Sequence, residues 1–351
     1  ILVLTKRKND DFLKKMKCKI FNSLDEAINE KPMAAFITNT TNLHIQTAIK
    51  LANAKINLFI EKPLSHSFKG ISELLKIIKK YKLLTYVGCN LRFHPCIKLI
   101  KQIISDKELG RIISIHIENG SYLPEWHPYE DYKKSYAAQN KMGGGVIPTC
   151  IHELDYLYWF FGKPIELFSF TGKFSDLKIS ADDLSTILMK FKNKCIAEIH
   201  LDYFQRPGIR SCKIIGTKGT LNWNSDTNSV FVYNIKTKKW MTRMKLRNYD
   251  LNLTYLNEMH YFLNSINQRK IMNNDIKEGT EVLKIALAAT NTLAPAAFIN
   301  GRVLVEIPPS TSRYAADLSV SNFLRVSSTF ETVSGKKAWP ENPGRTLITS
   351  T

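Results

Sequence analysis

MAAFITNTTNLHIQTAIKLANAKINLFIEKP, residues 33–63, decides the reading of the fold. Met33–Ile37 and Ile56–Ile60 are short apolar runs. Between them, Leu43–Ala54 carries apolar residues at helical spacing. Outward from this stretch the alternation continues, with a strand pattern at Ile1–Leu4, a helical pattern at Ile71–Tyr81 and another apolar run at Leu83–Val87. Strand, helix, strand, helix at this spacing predicts a parallel sheet with crossover helices over residues 1–120.

Further along, Gly143-Gly144-Gly145 precedes a long apolar segment, Val146 to Phe161. It is too long for a strand and predicts one helix with Pro148 in its first turn. From Ile165 to Thr242 the runs Leu184–Phe191, Cys195–Tyr203, Ser211–Ile215, Thr220–Trp223 and Ser229–Tyr233 alternate with turn signals such as Pro207-Gly208 and Thr217-Lys218-Gly219. Closely spaced strands without long helices mean an open, mainly antiparallel sheet. Helices over Leu251–Asn267 and Lys277–Ala289 close this second, α+β domain, expected to span 121–290. Lysine nearly vanishes after about residue 291, so 291–351 is expected to be an atypical, disordered or non-native tail. The fold class is therefore α/β, a partial Rossmann sheet followed by an α+β domain. The chain lacks an initiating Met and opens in mid-strand, which is read as truncation.

The chain has 351 residues, enough for two domains with their own cores, and a formal net charge of +19. Its lysines are spread through the first 290 residues with no compact basic block, so nucleic-acid binding ranks last; the positive field favours phosphate-bearing ligands. The six cysteines form no CxxC pair, which argues against a zinc site or disulfide framework and fits buried thiols in a reducing cytoplasm. No apolar run approaches the roughly 20 residues of a membrane span.

Four segments carry candidate chemistry. Glu61-Lys62-Pro63 ends an apolar strand, where polar side chains face the ligand crevice of a parallel sheet; a surface turn with an ordinary ion pair is the bland alternative. Thr38-Asn39-Thr40-Thr41-Asn42-Leu43-His44 follows a strand and opens a helix, a natural seat for phosphate or ribose, with simple capping by Thr41 or Asn42 as the alternative. Asn90-Leu91-Arg92-Phe93-His94-Pro95 falls at the same edge as Lys62. His152 lies within the apolar helix, three residues before Asp155. Such a histidine is more often a core residue, yet its ordinary pKa suits proton transfer.

Taken in order, these segments resemble the glucose-fructose oxidoreductase / inositol dehydrogenase (Gfo/Idh/MocA) family over roughly residues 1–290. The turn Gly216-Thr217-Lys218-Gly219-Thr220-Leu221 adds to the likeness. So does Leu123-Pro124-Glu125-Trp126-His127-Pro128 with Tyr129, Tyr132 and Tyr136, which looks like the branch found in cell-surface sugar pathways. The resemblance implies an NAD- or NADP-dependent oxidoreductase acting on a sugar or nucleotide-sugar. Lys62 and His152 would be the catalytic pair. Thr5, Lys6, Arg7, Thr38, Asn39, Thr40, His44, Glu61, Lys62 and Asn90 would face the cofactor. Arg92, Trp126, Tyr136, Thr149 and His152 would face the substrate, and no metal is called for.

Two departures stand out. The family's G-x-G-x-x-G turn is absent, so the chain as written is expected to bind cofactor weakly or not at all. Thr149 stands where many members carry an aspartate three residues before the histidine, so carboxylate support for His152 must come from elsewhere. Thr5-Lys6-Arg7-Lys8 at the end of the first strand leans toward NADP, since basic residues accept a 2′-phosphate. A non-catalytic dinucleotide or sugar sensor of the same fold is the alternative function. By analogy the open sheet pairs with a second copy, as a homodimer or homotetramer.

Overall fold

The computed structural model describes residues 2–5, 13, 15–291, 296–299 and 302–305. Strands β1 (Leu2–Leu4) and β2 (Lys19–Phe21) pair in parallel as a two-stranded ribbon, followed by helix α1 (Leu24–Asn29). Next come β3 (Ala34–Ile37), α2 (His44–Asn53), β4 (Asn57–Glu61), α3 (Ile71–Tyr81) and β5 (Thr85–Gly88). β3, β4 and β5 lie side by side and parallel, as helical crossovers require. The amino-terminal sheet is thus divided in two, and β2, only three residues long, had not been read from the sequence.

The chain then runs through α4 (Pro95–Ser105), β6 (Ile112–Gly120), α5 (Val146–Thr149) and α6 (His152–Phe161). β7 (Glu166–Gly172), β8 (Leu184–Lys190), β9 (Ile196–Asp202) and β10 (Ile209–Gly216) follow. The last elements are β11 (Gly219–Asn224), β12 (Ser229–Asn234), β13 (Lys239–Lys245), α7 (Asn252–Asn267), α8 (Ile276–Asn291), β14 (Ala296–Ile299) and β15 (Arg302–Val305). Ten strands make one sheet in the order β13-β12-β11-β10-β6-β9-β8-β7-β14-β15. All its pairs of known register are antiparallel except β6 with β9. One face buries Ile115, Ile117, Ile199 and Leu201 against α4–α6, while the other leaves Phe170, Leu188 and Ile196 exposed. At the β10–β11 turn, a Cβ on Gly216 would overlap the carbonyl oxygen of Leu109, so only glycine lets the strand end approach the loop before β6.

Four expectations need correction. The boundary at 120 falls at the far end of β6, because the chain enters the large sheet at Ile112. The carboxyl-terminal helices do not belong to the second domain alone. Phe262 of α7 packs on Phe36, Phe59 and Tyr86, covering the face of β3–β5 opposite α2 and α3. α8 lends Ile276 and Leu283 to the amino-terminal core and Val282 and Ile285 to the core of the large sheet. The single helix expected over 146–161 is two helices, broken at Cys150–Ile151. Finally, residues 296–299 and 302–305 of the expected tail form a hairpin whose first strand joins β7; the rest of 292–351 lies outside the described residues.

All six cysteines are free. Among the described residues no helix is long and apolar enough to cross a membrane.

Candidate active site

β4 and β5 deliver Glu61, Lys62, Gly88 and Asn90 to the carboxyl edge of the parallel sheet, where ligands bind in open α/β folds. A cleft of about 660 Å³ opens there. Its opposite wall comes from the large sheet and its helices, through Asn119, Thr149, His152 and Arg210. Trp126 and Tyr136 face it from the loop between β6 and α5, and Tyr255 and Glu258 from α7. Lys62 and His152 therefore line one cavity.

The broken helix serves Lys62. In a continuous helix the Thr149 carbonyl would accept the Glu153 N–H. Here that N–H reaches the Cys150 carbonyl at 3.4 Å, and Thr149 O accepts Lys62 Nζ at 3.0 Å. Thr149 is itself held by Tyr203, whose hydroxyl donates to Thr149 Oγ1 at 2.7 Å. The threonine in place of a carboxylate thus positions the lysine through its backbone. Burial works against the Lys62 charge, but Tyr136, Tyr255 and Glu61 outweigh it and raise its pKa above the ordinary lysine value, so the ammonium is charged at neutral pH. One N–H is spent on Thr149, and the others remain for a ligand.

His152 is the first residue of α6 and is 7% exposed; its Nδ1 is buried without a hydrogen-bond partner. Burial, then the charges of Lys62 and Arg210, push its pKa well below the usual histidine value, so the ring is neutral. Asp155, on the same helix, does not support it. Arg92 Nε and Nη2 donate to the two Asp155 oxygens at 2.9 and 2.8 Å, and Arg92 Nη1 donates to Glu278 at 2.9 Å. Arg92 is 6% exposed and lies outside the cleft lining. The expectation that it shapes a sugar pocket is corrected: its planar fork is consumed by a buried ion pair joining the β5–α4 segment to α6 and α8.

Of the expected cofactor residues, Glu61, Lys62 and Asn90 line the cleft, while Thr38, Asn39, Thr40 and His44 are not part of its lining. Both His44 ring nitrogens lie 2.9 Å from carbonyl oxygens, those of Pro63 and Asn39, which ties the end of β3 to the segment after Lys62. Thr40 Oγ1 donates to Asn42 at 2.6 Å and α2 begins at His44 with Leu43 before it, so neither Thr41 nor Asn42 caps that helix. Thr5 is buried, its N–H on the Phe21 carbonyl, and Lys6 and Arg7 lie outside the described residues. A nicotinamide cofactor fits what is present. Polar residues crowd the carboxyl edge of three parallel strands, and Asn39 Oδ1, just beyond β3, is buried without a partner. Among the described residues no group of acidic, histidine or cysteine side chains is arranged to hold a metal.

Asn119, Arg210, Tyr255 and Glu258 had not been singled out in the sequence. Glu258 is 2% exposed; its Oε1 accepts the Tyr86 hydroxyl at 3.1 Å. Burial, reinforced by Glu61, drives its pKa well above the ordinary carboxylate range, against the pull of its bonds to Tyr86 and the Cys89 backbone. A carboxyl raised in the folded state stabilises it below the unfolded pKa and loses that contribution as pH rises through the folded value. Glu258→Gln, which mimics the protonated form, is expected to flatten the fall of Tm with pH above the ordinary glutamate pKa. Parallel Tm–pH curves for variant and parent would refute this.

Two descriptions of one family match the chain. "Oxidoreductase family, NAD-binding Rossmann fold" covers residues 2–89, and "GFO/IDH/MocA C-terminal domain" covers 97–222. An oxidoreductase of Streptococcus pneumoniae is 27% identical over 212 residues, 58% of this chain and 55% of that protein. The oxidoreductase YrbE of Bacillus subtilis is 26% identical over 274 residues, 74% of this chain and 76% of its own length. The chain therefore spans about half of the first relative and three quarters of the second. Among solved structures, levoglucosan dehydrogenase in complex with NADH and levoglucosan superposes with a TM-score of 0.73 at 16% identity, over 83% of this chain and 87% of that one. A UDP-N-acetylglucosamine 3-dehydrogenase from Acidithiobacillus ferrooxidans gives 0.65 at 20% identity, over 80% and 84%. At such identities these two speak for the fold. Joined to the two family matches in consecutive order, they lead to one conclusion: the chain belongs to the Gfo/Idh/MocA family of oxidoreductases.

Proposed function

We propose that the protein transfers hydride between a nicotinamide cofactor and a hydroxyl-bearing carbon of a sugar or nucleotide-sugar. The observation that carries this reading is a charged lysine and a neutral, partnerless histidine sharing one cleft at the strand ends. Lys62 donates to the substrate oxygen and stabilises negative charge growing there. His152, uncharged, takes the hydroxyl proton in oxidation and returns it in reduction. The cofactor, when bound, accepts or supplies the hydride. Trp126, its Nε1 donating to Ser121 at 2.8 Å, presents a fixed ring against an apolar sugar face.

The matched structures include a levoglucosan dehydrogenase and a UDP-N-acetylglucosamine 3-dehydrogenase, and the proposal covers both sugars and nucleotide-sugars. Glycan assembly is the setting we favour, in keeping with the tyrosine-rich loop before Tyr136. The six free thiols accord with a reducing cytoplasm. We place a second copy of the chain on the exposed sheet face around Phe170, Leu188 and Ile196.

The test is reduced-nicotinamide absorbance with NAD or NADP across a panel of free, acidic and nucleotide-linked sugars. Cofactor-dependent turnover that Lys62→Met abolishes is the expected result. Turnover unchanged by Lys62→Met, or sugar binding with no hydride transfer, would return the protein to a sensing role.

A further inference from the structure

Arg210 and Asn119 are register partners on β10 and β6, side by side on the wall facing Lys62. Both meet one carboxylate: Glu153 Oε2 accepts Asn119 Nδ2 at 3.0 Å, and Oε1 lies 2.9 Å from Arg210 Nε as an ion pair without hydrogen-bond geometry. Glu153 has no exposure at all, and Arg210 Nε is sealed with it. The Arg210 side chain nevertheless keeps 26% of its surface open and lines the cleft. The negative half of the pair is thus shut inside the wall while the positive half reaches the cavity. The Arg210 carbonyl accepts the Ser225 N–H at 2.9 Å, which sets the residue beside the end of β11, where Trp223 lines the cleft together with His94 and Tyr249. His94 stays neutral, its pKa pushed down to about 4 chiefly by burial. Asp226, which also lines the cleft, is exposed.

We infer that Arg210 is a specificity residue that selects substrates bearing an anionic substituent, a carboxylate or a phosphoryl group, away from the carbon that exchanges hydride. Guanidinium presents a planar fork matched to such groups, and the charge contact of Nε with buried Glu153 leaves the outer edge of the fork to the cleft. The inference rests on the oxidoreductase reading for its substrate scaffold, yet it concerns binding and is read by binding.

Calorimetric titration of the protein with glucose, glucuronate, glucose 6-phosphate and UDP-glucuronate is the test. At least one anionic probe is expected to bind more than about tenfold tighter than glucose, a gap of about 1.4 kcal/mol; comparing uronate with phosphate tells which anion the wall takes. Arg210→Gln combined with Glu153→Gln, which leaves no unpaired buried charge, is expected to erase that gap. Arg210→Lys is expected to keep part of it. Equal affinity for neutral and anionic probes, or a gap that survives the double substitution, overturns the inference. Turnover of neutral sugars alongside such a failure would leave the oxidoreductase reading standing.

Discussion

His152→Asn is expected to lower kcat by about 10²- to 10⁴-fold, the range a positioned acid–base group contributes, while the fold is kept. The side chain sits at the start of α6, where asparagine fits the helix end, and Nδ1 has no partner to orphan. The pH profile gives the sharper reading. Because burial, Lys62 and Arg210 depress the histidine pKa, the parent's acid limb should fall well below the ordinary value near 6.5, with the proton-accepting ring available across the neutral range. The residual activity of His152→Asn should lose that limb. An acid limb at 6.5 or above in the parent, or a variant with unimpaired kcat, would remove His152 from the chemistry.

Arg92→Ala is expected to cost about 3–5 kcal/mol of stability, because it leaves a buried carboxylate uncompensated. Asp155 is 2% exposed and receives two of the guanidinium's hydrogen bonds, while Glu278 on α8 receives a third. Denaturant titration checks the number. Arg92→Met with Asp155→Leu, exchanging the pair for apolar volume, should recover most of it. KM for the sugar in the remaining folded protein should hold steady, since Arg92 is outside the cleft lining. A large rise in KM with unchanged stability would return Arg92 to the substrate pocket.

Local pattern carried the elements. β3, α2 and β4 fall within a few residues of the apolar runs and helical spacing that announced them, and Lys62, which the family resemblance paired with His152, lines one cleft with it. What local pattern cannot carry is partnership. β6 alternates as any half-buried strand does, and nothing in its residues says that its neighbours are β9 and β10 rather than β5. Asp155 shares a helix with His152, yet its partner approaches from Arg92, on the segment after β5. Arg210 follows a Pro-Gly turn and reads as surface charge until Glu153 is found behind it. Tyr255 and Glu258 were hidden in the same way, on a helix that seemed only to close the second domain.

The placement of Phe262 bears on how the chain comes into being. Phe59 and Tyr86 are synthesised early, yet their aromatic face is sealed only by a residue that leaves the ribosome long afterwards. At roughly 5–20 residues per second, the intervening stretch takes on the order of 10–35 s to translate. For that interval the nascent sheet presents an uncovered, ring-bearing flank, and the cleft, lined in part by Tyr255 and Glu258, is complete only once α7 has docked.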